Sequence, residues 1–144
     1  MTRRSLTVSI LIAGLCTAAG CSGGGRPVGR VSGIVTYGGK PVPTGTVVFM
    51  PTESGPPAYG NIDPDGRYTL STYSPGDGAV LGKHAVMITA LEQLTPAEAA
   101  NPNRMPKMLI PAKYNDTKTS GLTADVRAGE NTIEFDLTAD AKRR

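Results

Sequence analysis

From Arg30 onward the chain alternates apolar and polar residues with a period of two, and that period leaves little room for anything but strands. The segment R-V-S-G-I-V-T-Y sets Val31, Val35 and Tyr37 on one face. In R-Y-T-L-S-T, Tyr68 and Leu70 turn inward while Arg67, Thr69 and Ser71 turn outward. Leu122, Ala124 and Val126 alternate with Thr123, Asp125 and Arg127, and Ile133, Phe135 and Leu137 alternate with Glu134 and Asp136. The runs T-V-V-F-M at 46–50 and A-V-M-I-T at 85–89 are more continuously apolar, as expected of strands nearer the middle of two packed sheets. Turn chemistry bounds these runs: G-G-K-P-V-P-T-G at 38–45, D-P-D-G at 63–66, P-G-D-G at 75–78 and A-G-E-N at 128–131. About seven or eight short strands with frequent turns predict an all-β fold, an antiparallel β-sandwich.

A single segment predicts a helix. Thr95-Pro96-Ala97-Glu98 combines an N-cap threonine, proline at the first helical position and glutamate three residues after the cap, and Asn101-Pro102 stops it after little more than a turn. It sits in the longest irregular connection, 92–111. Within it Met105, Met108, Leu109 and Ile110 either form an adaptable apolar lip for a partner or cover the open end of the core. Core cover is the expected use, because a small domain with 5% aromatic residues needs its apolar groups.

The chain opens in a different style. Arg3 and Arg4 precede an apolar run over 6–16, about half the ~20 residues that a membrane-spanning helix requires, and small residues follow. Charged, apolar and small regions in that order describe a secretory signal peptide. The residues Ala18-Ala19-Gly20-Cys21 resemble a bacterial lipobox, with Ala18 where leucine is usual. That resemblance implies that Cys21 is lipidated and becomes the first mature residue. Several acyl chains, palmitate among them, would anchor it durably where one chain binds marginally. Ser22 after the cysteine resembles the pattern of lipoproteins sent to the outer membrane of two-membrane bacteria. The expected organisation is a signal peptide over 1–20, the lipidated cysteine and a glycine-rich flexible tether over 21–29, the sandwich over 30–138 and a basic tail over 139–144. Eight tether residues reach at most ~28 Å, so the domain stays close to the bilayer of a bacterial cell envelope.

Of 144 residues, loss of the first 20 leaves 124, enough for one domain with one core. The two cysteines are Cys16 and Cys21, so the mature domain has no disulfide and relies on burial and hydrogen bonds. The formal charge of +3 is carried by the two ends: residues 26–141 hold 10 basic against 12 acidic residues. Neither a basic cluster nor stacking aromatics suited to nucleic acid is present.

Taken together, V-S-G-I-V-T-Y-G-G-K-P-V-P-T-G-T-V-V-F, G-N-I-D-P-D-G-R-Y-T-L and G-K-H-A-V-M-I resemble the strands and aspartate-glycine turn of the carboxypeptidase regulatory-like family. A-K-Y-N-D at 112–116 and the final A-G-E-N-T-I-E-F-D-L resemble the closing strands of small bacterial lipoproteins in that group. The resemblance implies a Greek-key, transthyretin/prealbumin-like sandwich. In that family such domains are usually non-catalytic appendages concerned with folding, stability or attachment.

Related sandwiches do include enzymes. Purine-pathway hydrolases of similar fold use more than one histidine and a C-terminal Tyr-Arg-Gly-Ser, and intradiol dioxygenases hold iron with two histidines and two tyrosines. Here His84 is the one histidine and the chain ends A-K-R-R. His84 is expected on a surface or an edge strand, with no oriented nucleophile near it in sequence. Asp63-Pro64-Asp65-Gly66 has the opening of a calcium loop but neither the third aspartate nor the later glutamate, so a hairpin turn is expected. The chain is therefore expected to be a non-catalytic interaction or structural module without cofactor or metal. Its expected partners are the membrane, through Cys21, and an envelope protein or glycan; its oligomeric state stays open. The competing reading is a small hydrolase or metal site built from Asp63, Asp65, Asp77 and His84.

Overall fold

The computed structural model describes residues 25–139, so the expected signal peptide over 1–20, Cys21 and the terminal Lys-Arg-Arg lie outside the described residues. The first alternating stretch becomes β1 (Val28–Tyr37), ten residues long, and the first sheet is assembled along it. Order begins earlier than the tether boundary expected from glycine content, because Val28 pairs with Val80 and Gly29 with Ala79. The antiparallel partners of β1 are β6 (Ala79–Val80), β5 (Arg67–Thr69) and β2 (Lys40–Pro41). β9 (Glu130–Thr132) and β10 (Phe135–Leu137) run parallel to it. Ser32 pairs with both Thr69 and Thr132, and Thr36 with both Pro41 and Asp136. The two parallel strands therefore lie along one edge of β1, and β5 and β2 along the other.

The second sheet is antiparallel throughout, in the order β4 (Ala58–Ile62), β3 (Gly45–Pro51), β7 (Gly82–Thr89) and β8 (Leu122–Val126). The fold is thus the all-β sandwich that the periodicity requires. Among the described residues there are ten strand segments, because short pieces succeed one another along the edges of β1.

Two local readings change. The stretch expected as one strand up to Leu137 is split into β9 and β10 at Ile133. Its N–H stays bonded to Ser32 O, while its carbonyl turns away to accept the Tyr68 hydroxyl at 2.7 Å. That carbonyl passes so close to Gly33 that a Cβ there would lie 1.7 Å from it, so only glycine permits the approach. The A-K-Y-N segment is not a strand but a 3-10 turn, Ala112–Asn115, following Pro111. It buries Tyr114, whose hydroxyl both donates to Thr138 O and accepts from Thr138 N at 3.1 Å.

The core lies between the sheets. Phe49 on β3 meets Phe135 at 6.0 Å and Tyr68 at 6.5 Å across the sandwich, while Tyr68 and Phe135 stack at 6.2 Å on the opposite sheet. Val31, Val35, Val47, Leu70, Val86, Ile88 and Leu137 pack around these rings, all essentially inaccessible to solvent. Among the described residues, Phe49 is the aromatic ring that meets this pair from the other layer, so truncating it opens a cavity at the joint of the two sheets. Phe49→Ala is expected to cost about 3–5 kcal/mol, out of a total of about 5–15 kcal/mol for an ordinary domain. Urea unfolding of the two proteins checks this, and a loss below about 1 kcal/mol would contradict the role given to the ring.

Candidate functional site

The hairpin of β4 and β5 is unusual because its two strands belong to different sheets: β4 pairs with β3, and β5 with β1. Hydrogen bonds join them only at the ends, between Asp63 N and Arg67 O at 2.9 Å and reciprocally between Tyr59 and Ser71 at 2.8 and 3.0 Å. Between these points no ladder hydrogen bond joins the strands, each following its own layer. Gly60 lets them stay close where they cross, since a Cβ there would meet Thr69 O at 2.7 Å. The result is an open groove of about 580 Å³ over the seam of the sandwich.

Alternation decides what lines it. On β4, Ala58, Gly60 and Ile62 face the core, and Tyr59 and Asn61 face out; on β5, Tyr68 is buried and Arg67 and Thr69 are exposed. Tyr59 is 53% exposed. Among the described residues, the Tyr59 hydroxyl, the Asn61 amide and the Arg67 guanidinium take no intramolecular hydrogen bond. The groove therefore offers a ring face, an amide and a guanidinium fork at one place. Such groups hold a polar, hydroxyl- or carboxylate-bearing ligand. None was singled out from sequence, although the alternation in A-Y-G-N-I is the signal that would have turned Tyr59 and Asn61 outward.

The residues considered for chemistry serve the fold. Asp63 Oδ1 accepts from Asp65 N at 2.9 Å and Arg67 N at 2.8 Å, and Gly66 takes φ +79°, so D-P-D-G is the hairpin turn expected. Asp77 closes the 71–78 loop, accepting from Thr72 N at 2.7 Å and from Tyr73 and Ser74 N at 2.9 Å. Desolvation raises its carboxyl pKa, but the backbone N–H bonds outweigh that and hold it below its ordinary value. Among the described residues, no group of three or more His, Cys, Asp or Glu could hold a metal ion, so Asp63, Asp65, Asp77 and His84 do not converge.

His84 departs from the surface or edge position expected for it. It is 1% exposed, on an interior strand, with its ring 5.6 Å from Phe49. Nδ1 lies 3.0 Å from Gly82 O, an atom that can only accept, so Nδ1 carries the proton and Nε2 is left as a bare buried acceptor. Protonating Nε2 would bury a charge without a partner. Burial accordingly lowers the imidazole pKa from 6.5, against the Gly82 carbonyl and Asp125, which raise it.

The 92–111 connection is ordered and splits the apolar residues assigned to it. Ile110 enters the core and Leu109 packs half-buried against it, whereas Met105 is 77% exposed and Met108 is exposed beside Leu91. The loop leaves and returns through Leu109 N to Ala90 O at 2.9 Å and Glu92 N to Lys107 O at 2.8 Å. The helix Pro96–Ala99 forms with the expected Thr95–Glu98 capping box. Arg104 ties the loop together, 2.9 Å from Glu92 and 3.9 Å from Glu98.

No protein-family model, curated protein or solved structure matches the chain.

The state of His84 sets a pH dependence. Below its ordinary value of 6.5 the unfolded chain takes up a proton that the folded imidazole refuses, so stability is full above that pH and falls as pH drops through it. Asp77 and Glu98 act lower, since their ordinary values are 3.8 and 4.5 and the fold lowers both. The urea midpoint should fall between pH 7.5 and 5.5 in the native chain and stay nearly level in His84→Leu. Parallel declines in the two proteins would overturn this assignment.

Proposed function

We propose that the protein is a lipid-anchored, non-catalytic β-sandwich of a bacterial cell envelope, tied to the membrane through Cys21, which binds an envelope glycan in the β4–β5 groove. The signal peptide and the Ala-Ala-Gly-Cys motif support the anchor, and Ser22 favours the outer membrane where there are two. The strand and turn motifs that resemble the carboxypeptidase regulatory-like family support a Greek-key, transthyretin-like arrangement of the strands. Binding rests on one contrast: Asp63, Asp77 and His84 are committed to turns and core, whereas Tyr59, Asn61 and Arg67 stand uncommitted around an open groove. A sugar would stack on the Tyr59 ring, its hydroxyls would meet the Asn61 amide, and a carboxylate would take the Arg67 fork.

The sheet edges are poorer sites. β9 and β10 are three residues each, and β8 carries the exposed Asp125, so an incoming strand would find few main-chain bonds or a solvated charge on its outer face.

Two measurements test the two halves of the proposal. In the full-length chain, Cys21→Ser should move the protein from the membrane to the soluble fraction; if it stays with the membrane, the anchor lies elsewhere. Residues 22–144 should cosediment saturably with envelopes of the source bacterium, and Tyr59→Ala with Arg67→Ala should weaken that retention about tenfold or more, as loss of two central contacts does. Undiminished retention of the double variant would remove the groove from the account.

A further inference from the structure

The chain between Cys21 and the sandwich is shorter than its glycine content suggests. Gly25 stands against the Tyr73 ring, Arg26 N donates to the Tyr73 hydroxyl at 3.0 Å, and the Arg26 guanidinium donates to the Ser54 hydroxyl. Leu81 N then donates to Pro27 O at 3.1 Å, and β1 begins. Five residue steps separate Cys21 from Arg26 and span at most ~18 Å.

The strand register fixes which end of the sandwich this is. Val28 pairs with Val80, Arg30 with Glu130 and Pro51 with His84, so turns 52–57, 71–78 and 127–130 share the end that carries Arg26. Tyr37 pairs with Lys40 and Leu137, and Thr46 with Thr89, so the 38–39 and 63–66 turns and the 92–111 loop lie at the other. The ten residues of β1 alone hold the ends about 30 Å apart.

We infer that the docking of residues 25–27 stands the acylated protein on its Arg26–Tyr73 end against lipid headgroups and directs the 92–111 loop away from the bilayer. This rests on the lipid-anchor reading above. The length of chain outside the sandwich and the point where it enters select a lipid surface as the occupant of this end. Tyr73, 50% exposed, holds the Arg26 backbone N–H, and the Arg26 guanidinium sits at Ser54 on the same end, so this end carries the amphipathic ring and the charge that suit a headgroup layer. The last described residues lie at the far end, where Gly38 N donates to Leu137 O at 3.1 Å. The five residues after Ala139 reach at most ~18 Å, too short for Lys142, Arg143 and Arg144 to return to the headgroups.

The test uses the full chain, expressed with its leader, purified from membranes and reconstituted in phosphatidylethanolamine–phosphatidylglycerol vesicles. Fluorophores are attached singly through Glu53→Cys, at the anchored end, or Met105→Cys, at the far end, and quenched by lipids carrying a spin label on the headgroup. The protein should float with the vesicles, and quenching should be several-fold stronger at residue 53 than at 105. Flotation with equal or reversed quenching overturns the orientation and leaves the anchor standing; failure to float overturns both.

Discussion

The two layers of this molecule meet at its centre where the Phe49 ring is set against Tyr68 and Phe135 across the sandwich, within one continuous apolar core. Residues 22–144 contain no cysteine, and few large aromatic rings are available to them, so the joint between the sheets depends on apolar burial at this point. Its placement also fixes polar details. Tyr68 must reach outward with its hydroxyl, and finds Ile133 O, which turns that carbonyl over Gly33 and interrupts the last strand. Burial first, and then the Glu134 charge, push the Tyr68 phenol pKa well above its usual range, so it remains a hydrogen-bond donor. His84 fills the remaining side of Phe49 and is kept neutral by the same dry surroundings.

The groove is a consequence of that joint. Tyr68 commits β5 to one layer and Ile62 and Ala58 commit β4 to the other, while a four-residue turn holds the two strands together. A hairpin whose strands serve different sheets cannot pair along its whole length. It opens between its two bonded ends, and the side chains that alternation turns outward there are the free Tyr59, Asn61 and Arg67. The uncommitted side chains then arise from the corner of the fold rather than from an insertion added to it.

The inward faces were legible because a strand reports its own burial: Tyr68, Leu70, Phe135 and Leu137 all lie where period two sets them. The D-P-D-G turn and the Thr95–Glu98 cap were legible because each is a local hydrogen-bonding pattern written in adjacent residues. Pairing partners were not, since nothing in the alternation of β9 or β10 says that each runs parallel to β1. His84 was misplaced although its phase with Val86 and Ile88 marks it as inward, because a polar residue at a strand's start reads as surface. The apolar set of the 92–111 loop divides at Leu109, where a bond to Ala90 O brings the chain back to the core, and no local pattern announces that return. The groove escaped for the same reason, being made where two strands part.

The proposed function rests on attachment: a lipidated Cys21 would hold the sandwich by one short tether at one end and leave its flank and its far end to the surrounding envelope. The chemical state of the first mature residue is therefore the point on which the rest turns. Mass spectrometry of the N-terminal peptide of the protein extracted from its own membranes measures it directly. The account predicts a chain beginning at Cys21 with acyl chains on that residue and residues 1–20 gone. A chain that retains residues 1–20, or begins elsewhere with Cys21 unmodified, would contradict it.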